Sequence, residues 1–193
     1  MEHLSKEFWS NRYQSNQTGW DIGEISTPIK AYFDQVSNKE VKILIPGCGN
    51  GHEAEYLFEQ GFINVHILDL AEEPLRQFQI RNPKFPKSHI HQEDFFGHTG
   101  EYDIIVEQTM FCAIDPVLRQ KYADKVLDIL KPKGKLIGVL FNREFESGPP
   151  YGGTKEEYLT YFEQQFRHIM IEECINSIQP RLNHEFFIKI IKD

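Results

Sequence analysis

The stretch Ile43–Leu57, ILIPGCGNGHEAEYL, narrows the possible folds more than any other part of the chain. An apolar β-branched run stops at Pro46, glycines follow at 47, 49 and 51, and helix formers resume at His52. A strand that runs through a glycine bend into a helix opens a βαβ unit, and such a bend sits at the carboxyl edge of a parallel sheet, where ligands bind. Glycine lets backbone approach a ligand closely, and the first N–H groups of the helix point into the same crevice.

The same alternation continues downstream. VKILIP (41–46), NVHILD (64–69), YDIIVEQ (102–108) and KLIGVLF (135–141) read as strands, and HIHQEDF (89–95) as a shorter one. GHEAEYLFEQG (51–61), EEPLRQFQI (72–80) and VLRQKYADKVLDIL (117–130) read as helices. Gly61 closes the first of these, Asp115-Pro116 caps the third, and KPKG (131–134) ends it. Repeated βαβ units imply a parallel sheet with helices on both faces. The tail departs from this rhythm. After the helix KEEYLTYFEQQF (155–166), the strand candidates HIMIEECINSI (168–178) and HEFFIKIIK (184–192) are separated only by QPRLN, which is too short for a crossover, so they pair antiparallel. The expected architecture is α/β: a doubly wound, mostly parallel seven-stranded sheet with a C-terminal antiparallel hairpin, in one domain of 193 residues.

Charge and composition remove several classes of function. Lys plus Arg is 21 against 29 Asp plus Glu, a net charge of −8 with no run of basic residues, which speaks against nucleic acid as a partner. No apolar stretch approaches the ~18 residues of a membrane span, and MEHLSKEFW lacks the features of a signal peptide. Cys48, Cys112 and Cys174 are odd in number and far apart, which points to reduced thiols and a cytoplasmic setting.

Two acids extend the crevice. Asp69 closes the second strand, 22 residues after Gly47, where a carboxylate accepts hydrogen bonds from ribose hydroxyls. Asp94-Phe95 ends the third strand region, where a carboxylate takes an adenine amino group and a ring covers its face. The bend is Gly-x-Gly-x-Gly, with His52 where the third glycine of a dinucleotide pattern falls, and the rest of the chain completes one sheet without room for a separate catalytic domain.

The stretches FWSNRYQSNQTGWDIG (8–23), IPGCGNGHE (45–53), LDL (68–70), EDFF (93–96), FCAIDPVLRQKYA (111–123), LKPKGKL (130–136) and GPPY (148–151) together resemble class I S-adenosylmethionine-dependent methyltransferases. More narrowly, they resemble the thiopurine S-methyltransferase family, in its branch of halide, thiocyanate and thiol methyltransferases. The resemblance implies a Rossmann-like core (39–193) under an N-terminal helical lid (1–38) that folds over S-adenosylmethionine through Trp9, Tyr13 and Trp20. Plant halide enzymes tend to carry Trp where this chain has Tyr13. It implies further that Gly47 and Gly49 form the cofactor turn, that Asp69 beside Leu70 holds the ribose, and that Asp94 and Phe95 flank the adenine. Gln108 falls at a cofactor-side position where relatives carry Tyr or Arg, and supplies no cation for a large anionic thiol.

Methyl transfer from a sulfonium is an in-line displacement that needs alignment and exclusion of water. A thiolate, hydrosulfide, thiocyanate or halide is already nucleophilic, so no acid/base catalytic residue is assigned. The expected substrate pocket is aromatic, with Trp9, Trp20, Phe111 and Tyr151, and the sulfonium itself attracts the anion. The partner is a small-molecule thiol or inorganic anion, and the protein is read as a monomer. A non-catalytic binder of the same cofactor and a dinucleotide-binding oxidoreductase stay open. SGPPYGG (147–153) reads as a lid carrying Tyr151 or as a stiff surface loop; its position after the fifth strand and its leading glycine set it apart from the motif of DNA amino-methylating enzymes. His89 and His91 share a strand face without an evident third ligand and read as solvated, so no metal is expected. Cys48 reads as a small buried side chain and Cys112 as core or pocket lining, and Glu107, at a strand end by the crevice, reads equally as a substrate or cofactor contact or as a simple edge carboxylate.

Overall fold

The computed structural model describes residues 4–193. Its sheet has seven strands: β1 (Ile43–Pro46), β2 (Val65–Asp69), β3 (Ile90–Gln92), β4 (Tyr102–Gln108), β5 (Leu130–Phe141), β6 (His168–Glu173) and β7 (Glu185–Ile191). They lie in the order β3-β2-β1-β4-β5-β7-β6. The first five are parallel, and β7 runs antiparallel to both β5 and β6. The tail strands therefore pair as expected, but β7 inserts beside β5 and leaves β6 at the edge. Strand order reverses between β1 and β4, and a crevice opens at the carboxyl ends of such a pair.

β1 is fully buried because each face of the sheet has its own core. Ile43 and Ile45 pack with Ala54, Leu57 and Phe78, whereas Leu44 packs with Tyr122, Val126 and Leu136. Period-two alternation between two apolar layers explains why this strand reads as one unbroken hydrophobic run. The helices are α1 (Lys6–Gln14), α2 (Thr27–Phe33), α3 (His52–Glu59), α4 (Glu72–Arg81), α5 (Arg119–Ile129) and α6 (Lys155–Phe162). No helix among the described residues is long and apolar enough to cross a membrane.

Two local expectations change, and one helix appears that the sequence did not mark. Asp115 caps a short 3-10 turn at Pro116–Leu118, accepting the Val117 N–H at 3.0 Å, and α5 begins only at Arg119. KPKG ends the helix but also belongs to β5: Lys133 N–H donates to Lys192 C=O and Lys192 N–H to Gly134 C=O, so the chain end draws these residues into the ladder. The stretch TPIKAYF forms α2, which buries Ile29 and Phe33 behind Pro28 in its first turn.

The glycine bend is shaped first by the protein's own packing. Gly47, Gly49 and Gly51 all have positive φ. At Gly51 (φ 74°) a Cβ would sit 2.5 Å from Cδ2 of Phe78, and at Gly49 2.8 Å from the Tyr13 hydroxyl. Gly51→Ala is expected to cost about 2–4 kcal/mol, combining left-handed strain with overpacking. Gly61→Ala, at φ 85° with open space around it, is expected to cost only about 1–2 kcal/mol. Urea unfolding of the two variants side by side checks the difference.

Glu107 is not an edge carboxylate but lies in the core, 1% exposed. It accepts the Phe111 N–H at 2.9 Å and the Tyr122 hydroxyl at 2.5 Å, tying the end of β4 to the next loop and to α5. Burial pushes its carboxyl up from 4.5 to about 7. A raised carboxyl contributes stability that is complete below 4.5 and lost as pH rises through about 7. In Glu107→Gln this fall, roughly 3 kcal/mol, is expected to vanish from stability measured across that range.

Candidate active site

A cavity of about 820 Å³ opens at the carboxyl ends of β1, β2 and β4. Its floor is Gly47 from the bend, then Asp69 and Leu70 from the end of β2. Asp94 and Phe95, from the loop after β3, close one end. Trp9 and Tyr13 of α1, with Trp20 on the following loop, form a roof; Trp20 meets Trp9 edge-on at 5.5 Å and Tyr13 at 5.7 Å. Gly148, Pro149, Pro150 and Tyr151 line the opposite wall.

Asp69 is the central polar group of the floor. Oδ2 accepts the Gly49 N–H and Oδ1 the Ala71 N–H, each at 2.9 Å. Burial raises its carboxyl above the ordinary value, and these N–H groups oppose that shift. A carboxylate has about four acceptor positions, so roughly two stay available to hydroxyl donors in the cavity. Asp94 resembles it: Oδ1 accepts the Phe96 N–H at 2.9 Å. This pair of part-satisfied carboxylates, flanking a glycine bend in a roomy apolar cavity, suits an adenosine group.

Two polar fasteners hold the roof. Asp21, next to Trp20, accepts from the Gly23 N–H at 2.8 Å, lies 2.9 Å from His52 Nε2, and accepts from the Asn50 amide. The His52 contact holds the Asp21 carboxyl well below the usual range, and Asp21 in turn raises His52. Arg181 reaches across from the turn between β6 and β7 to donate to the Trp20 carbonyl at 2.7 Å. Burial, with Asp69 and Cys48 nearby, pushes the Tyr13 hydroxyl far up, so it stays neutral.

The GPPY segment is fastened at its C-terminal end. The Tyr151 N–H donates to the Cys112 carbonyl at 2.7 Å. Buried Arg119 donates to the carbonyls of Tyr151 (3.2 Å) and Gly152 (2.9 Å) and pairs with Glu157 at 2.6 Å. Gly152 is required by close packing, since a Cβ there would lie 1.5 Å from the Arg143 carbonyl oxygen.

Several expected site residues sit elsewhere. Phe111 does not line the cavity: capped by Glu107, its ring turns into the core between Tyr122 (5.2 Å) and Tyr158 (5.6 Å), while its neighbours Met110 and Cys112 face the cavity. Gln108 is buried at the end of β4, outside the cavity lining, with its Oε1 unpaired. Gly49 lies beneath Tyr13 and reaches the site through its N–H. Cys48 and Cys112 are buried, and burial raises both thiols. His89 and His91 do not form a simple solvated face, because His66 lies 3.0 Å from His91 and stacks on His89 at 4.1 Å.

Three arginines and a histidine that the sequence does not single out also line the cavity: Arg12, Arg143, Arg181 and His184. Arg12 lies over the Phe8 ring at 4.9 Å and Arg143 over the Phe145 ring at 4.8 Å. Nothing in their local sequence marks them, since QPRLN reads only as a short link. They reach the cavity through the placement of α1 and of loops far apart in the chain.

The comparisons with known proteins agree with this geometry. A thiocyanate methyltransferase of Brassica oleracea is 29% identical over 192 residues, covering 95% of this chain and 84% of its own. A thiopurine S-methyltransferase of Vibrio campbellii is 26% identical over 198 residues, covering 93% and 89%. In fold, the chain is similar to the 1,6-didemethyltoxoflavin N1-methyltransferase of Burkholderia thailandensis, solved with S-adenosylhomocysteine, with a TM-score of 0.75 at 17% identity over 99% of this chain and 88% of that one. It is also similar to magnesium protoporphyrin IX methyltransferase of Synechocystis, with a TM-score of 0.73 at 12% identity over 97% and 99%. A sequence profile of the family described as thiopurine S-methyltransferase matches residues 4–187, and the chain belongs to that family of class I S-adenosylmethionine-dependent methyltransferases.

Proposed function

We propose that this chain methylates a small organic thiol that carries a second, anionic group, using S-adenosylmethionine. The observation that carries this reading is Arg143. Arg143 is an exposed residue of the cavity lining, with Phe141, Phe145 and Tyr151; its guanidinium lies over the Phe145 ring, and among the described residues no carboxylate pairs with it. An unpaired cation at an apolar wall suits a carboxylate or similar group on an aromatic thiol. The cavity volume supports the same reading, because 820 Å³ lies near the upper end of the ~300–1,000 Å³ usual for a single drug-sized ligand and suits an organic acceptor beside the cofactor better than a bare halide.

S-adenosylmethionine, when bound, supplies a methyl group activated by a sulfonium. In this reading Asp69 holds the ribose hydroxyls, and Asp94 with Phe95 takes the adenine. Trp9, Tyr13 and Trp20 cover the sulfonium and keep water out, and their ring faces favour its positive charge. Tyr151 packs over the acceptor, while Arg143 orients it. An aromatic thiol is more acidic than the ~8.5 of an alkyl thiol, so much of it is already thiolate at neutral pH and no side chain has to remove the proton.

A methyl-transfer assay over iodide, thiocyanate, hydrosulfide, thiophenol and a carboxylated thiophenol tests the proposal. The carboxylated thiol is expected to exceed thiophenol in kcat/KM by roughly 10- to 100-fold, and Arg143→Gln to erase that margin, as loss of one charge-assisted contact does. Preference for iodide or thiocyanate, with Arg143→Gln neutral, would contradict it, and no turnover on any acceptor would favour a non-catalytic binder. Asp69→Asn is expected to weaken cofactor binding at least about ten-fold by calorimetry, with thermal unfolding recorded alongside to separate lost contacts from lost folding.

A further inference from the structure

Beside the cofactor cavity, at the edge strand β3, a second group of side chains converges. His98 Nδ1 lies 2.6 Å from Glu93 Oε1, and His91 Nδ1 lies 3.8 Å from the same oxygen. One donor atom from each of the three residues falls within 4.8 Å of the others. None of the three lines the cavity. Ligands at the ~2.0–2.2 Å bond lengths of a tetrahedral zinc-type ion stand about 3.4 Å apart, so shifts of less than about 1 Å per side chain would seat one.

The far nitrogens of both rings are already engaged. His91 Nε2 lies 3.0 Å from His66 Nδ1, and His98 Nε2 lies 2.8 Å from the Tyr102 hydroxyl. At 2.6 Å from a carboxylate, His98 Nδ1 donates to Glu93; an ion would replace that proton, and with a proton on each Nε2 both rings would then donate outward and turn an Nδ1 lone pair toward the ion. Metal-binding imidazoles show this arrangement, in which an outer partner fixes tautomer and ring direction. A further layer supports it: His89 Nδ1 donates to the Val65 carbonyl at 3.1 Å, and its ring stacks on His66. His98 is 3% exposed, while the Glu93 side chain is 45% exposed, which leaves room for water as a fourth ligand.

We infer that His91, Glu93 and His98 bind one divalent transition ion of the zinc class. Two imidazoles and a carboxylate favour Zn²⁺, Co²⁺, Ni²⁺ or Cu²⁺ over Ca²⁺ and Mg²⁺, which prefer all-oxygen sets. The position gives the ion a structural task. The N–H groups of Gly97 and His98 both return to the Asp94 carbonyl, at 2.9 and 3.1 Å, so 93–98 is one tight turn. Asp94 and Phe95 in this turn face the cavity, and Glu93 and His98 at its ends face the ion. A bound ion fastens both ends of the turn to β3.

The test is titration of untagged protein with Co²⁺, followed by visible absorption, and then displacement by Zn²⁺. One Co²⁺ per chain is expected, with the d–d bands of a four-coordinate ion and no thiolate charge-transfer band, since all three cysteines are buried away from this group. His91→Ala and Glu93→Gln are each expected to weaken binding by more than the roughly 10- to 100-fold that loss of an outer partner costs. His168→Ala, on the exposed edge strand, is expected to bind as the parent does. His98 is left intact because it is buried against Tyr102, and circular dichroism confirms that the other variants fold. Failure to saturate, a thiolate band, or equal binding by parent, His91→Ala and Glu93→Gln overturns the inference.

Discussion

The crevice depends on one buried carboxylate. Asp69 ends β2 and binds the N–H of Gly49 across the sheet and that of Ala71 in its own loop. It thereby fixes the glycine bend after β1 against the end of β2, at the edge where the strand order turns. Burying a carboxylate is costly unless hydrogen bonds compensate. Here two backbone donors do so in part, and the remaining acceptor capacity faces the cavity. In the proposed function, the same atoms that hold the bend in shape are those that would meet the ribose.

The roof obeys a similar logic. An aromatic cluster on a short helix with no buried residue would not hold its position by packing alone. Asp21 anchors it to Asn50 and His52 at the head of α3, and Arg181 anchors it to the distant β6–β7 turn. Trp20 therefore stands between a fastener on the cofactor side and one from the end of the chain. The opposite wall is fastened separately by Arg119, which packs against Phe111 at 4.9 Å while binding two carbonyls of the GPPY segment. Asp21 and Arg119 thus hold their walls from outside the cavity lining, whereas Arg181 holds the roof while itself lining the cavity.

The central strands and the helices between them were legible because strands buried on both faces are uniformly apolar and their glycine and proline boundaries are strong. The glycine bend and Asp69 were legible for the same reason, since each marks a defined strand end, and Asp94 because it follows the third strand within two residues. Insertion of β7 beside β5 was not, because it depends on long-range pairing that no local period records. Helix α2 is seven residues long and too short to set up a clear periodicity. Phe111 was misplaced because its direction is decided by Glu107, Tyr122 and Tyr158, which approach from other elements. The arginines of the cavity and the contact of His66 with His91 arise where separate segments meet, the latter because β2 and β3 are neighbours in the sheet.

Both tryptophans of the chain, Trp9 and Trp20, lie in the roof, so intrinsic tryptophan fluorescence reports on that region alone. Titration with S-adenosylhomocysteine is the most direct measurement of whether the glycine bend and the roof enclose an adenosyl group. A saturable change in emission with one equivalent per chain is predicted, and it should disappear when Asp69 is replaced by Ala, while NAD leaves the emission unchanged. An emission that ignores S-adenosylhomocysteine, or that responds equally to NAD, would contradict the account.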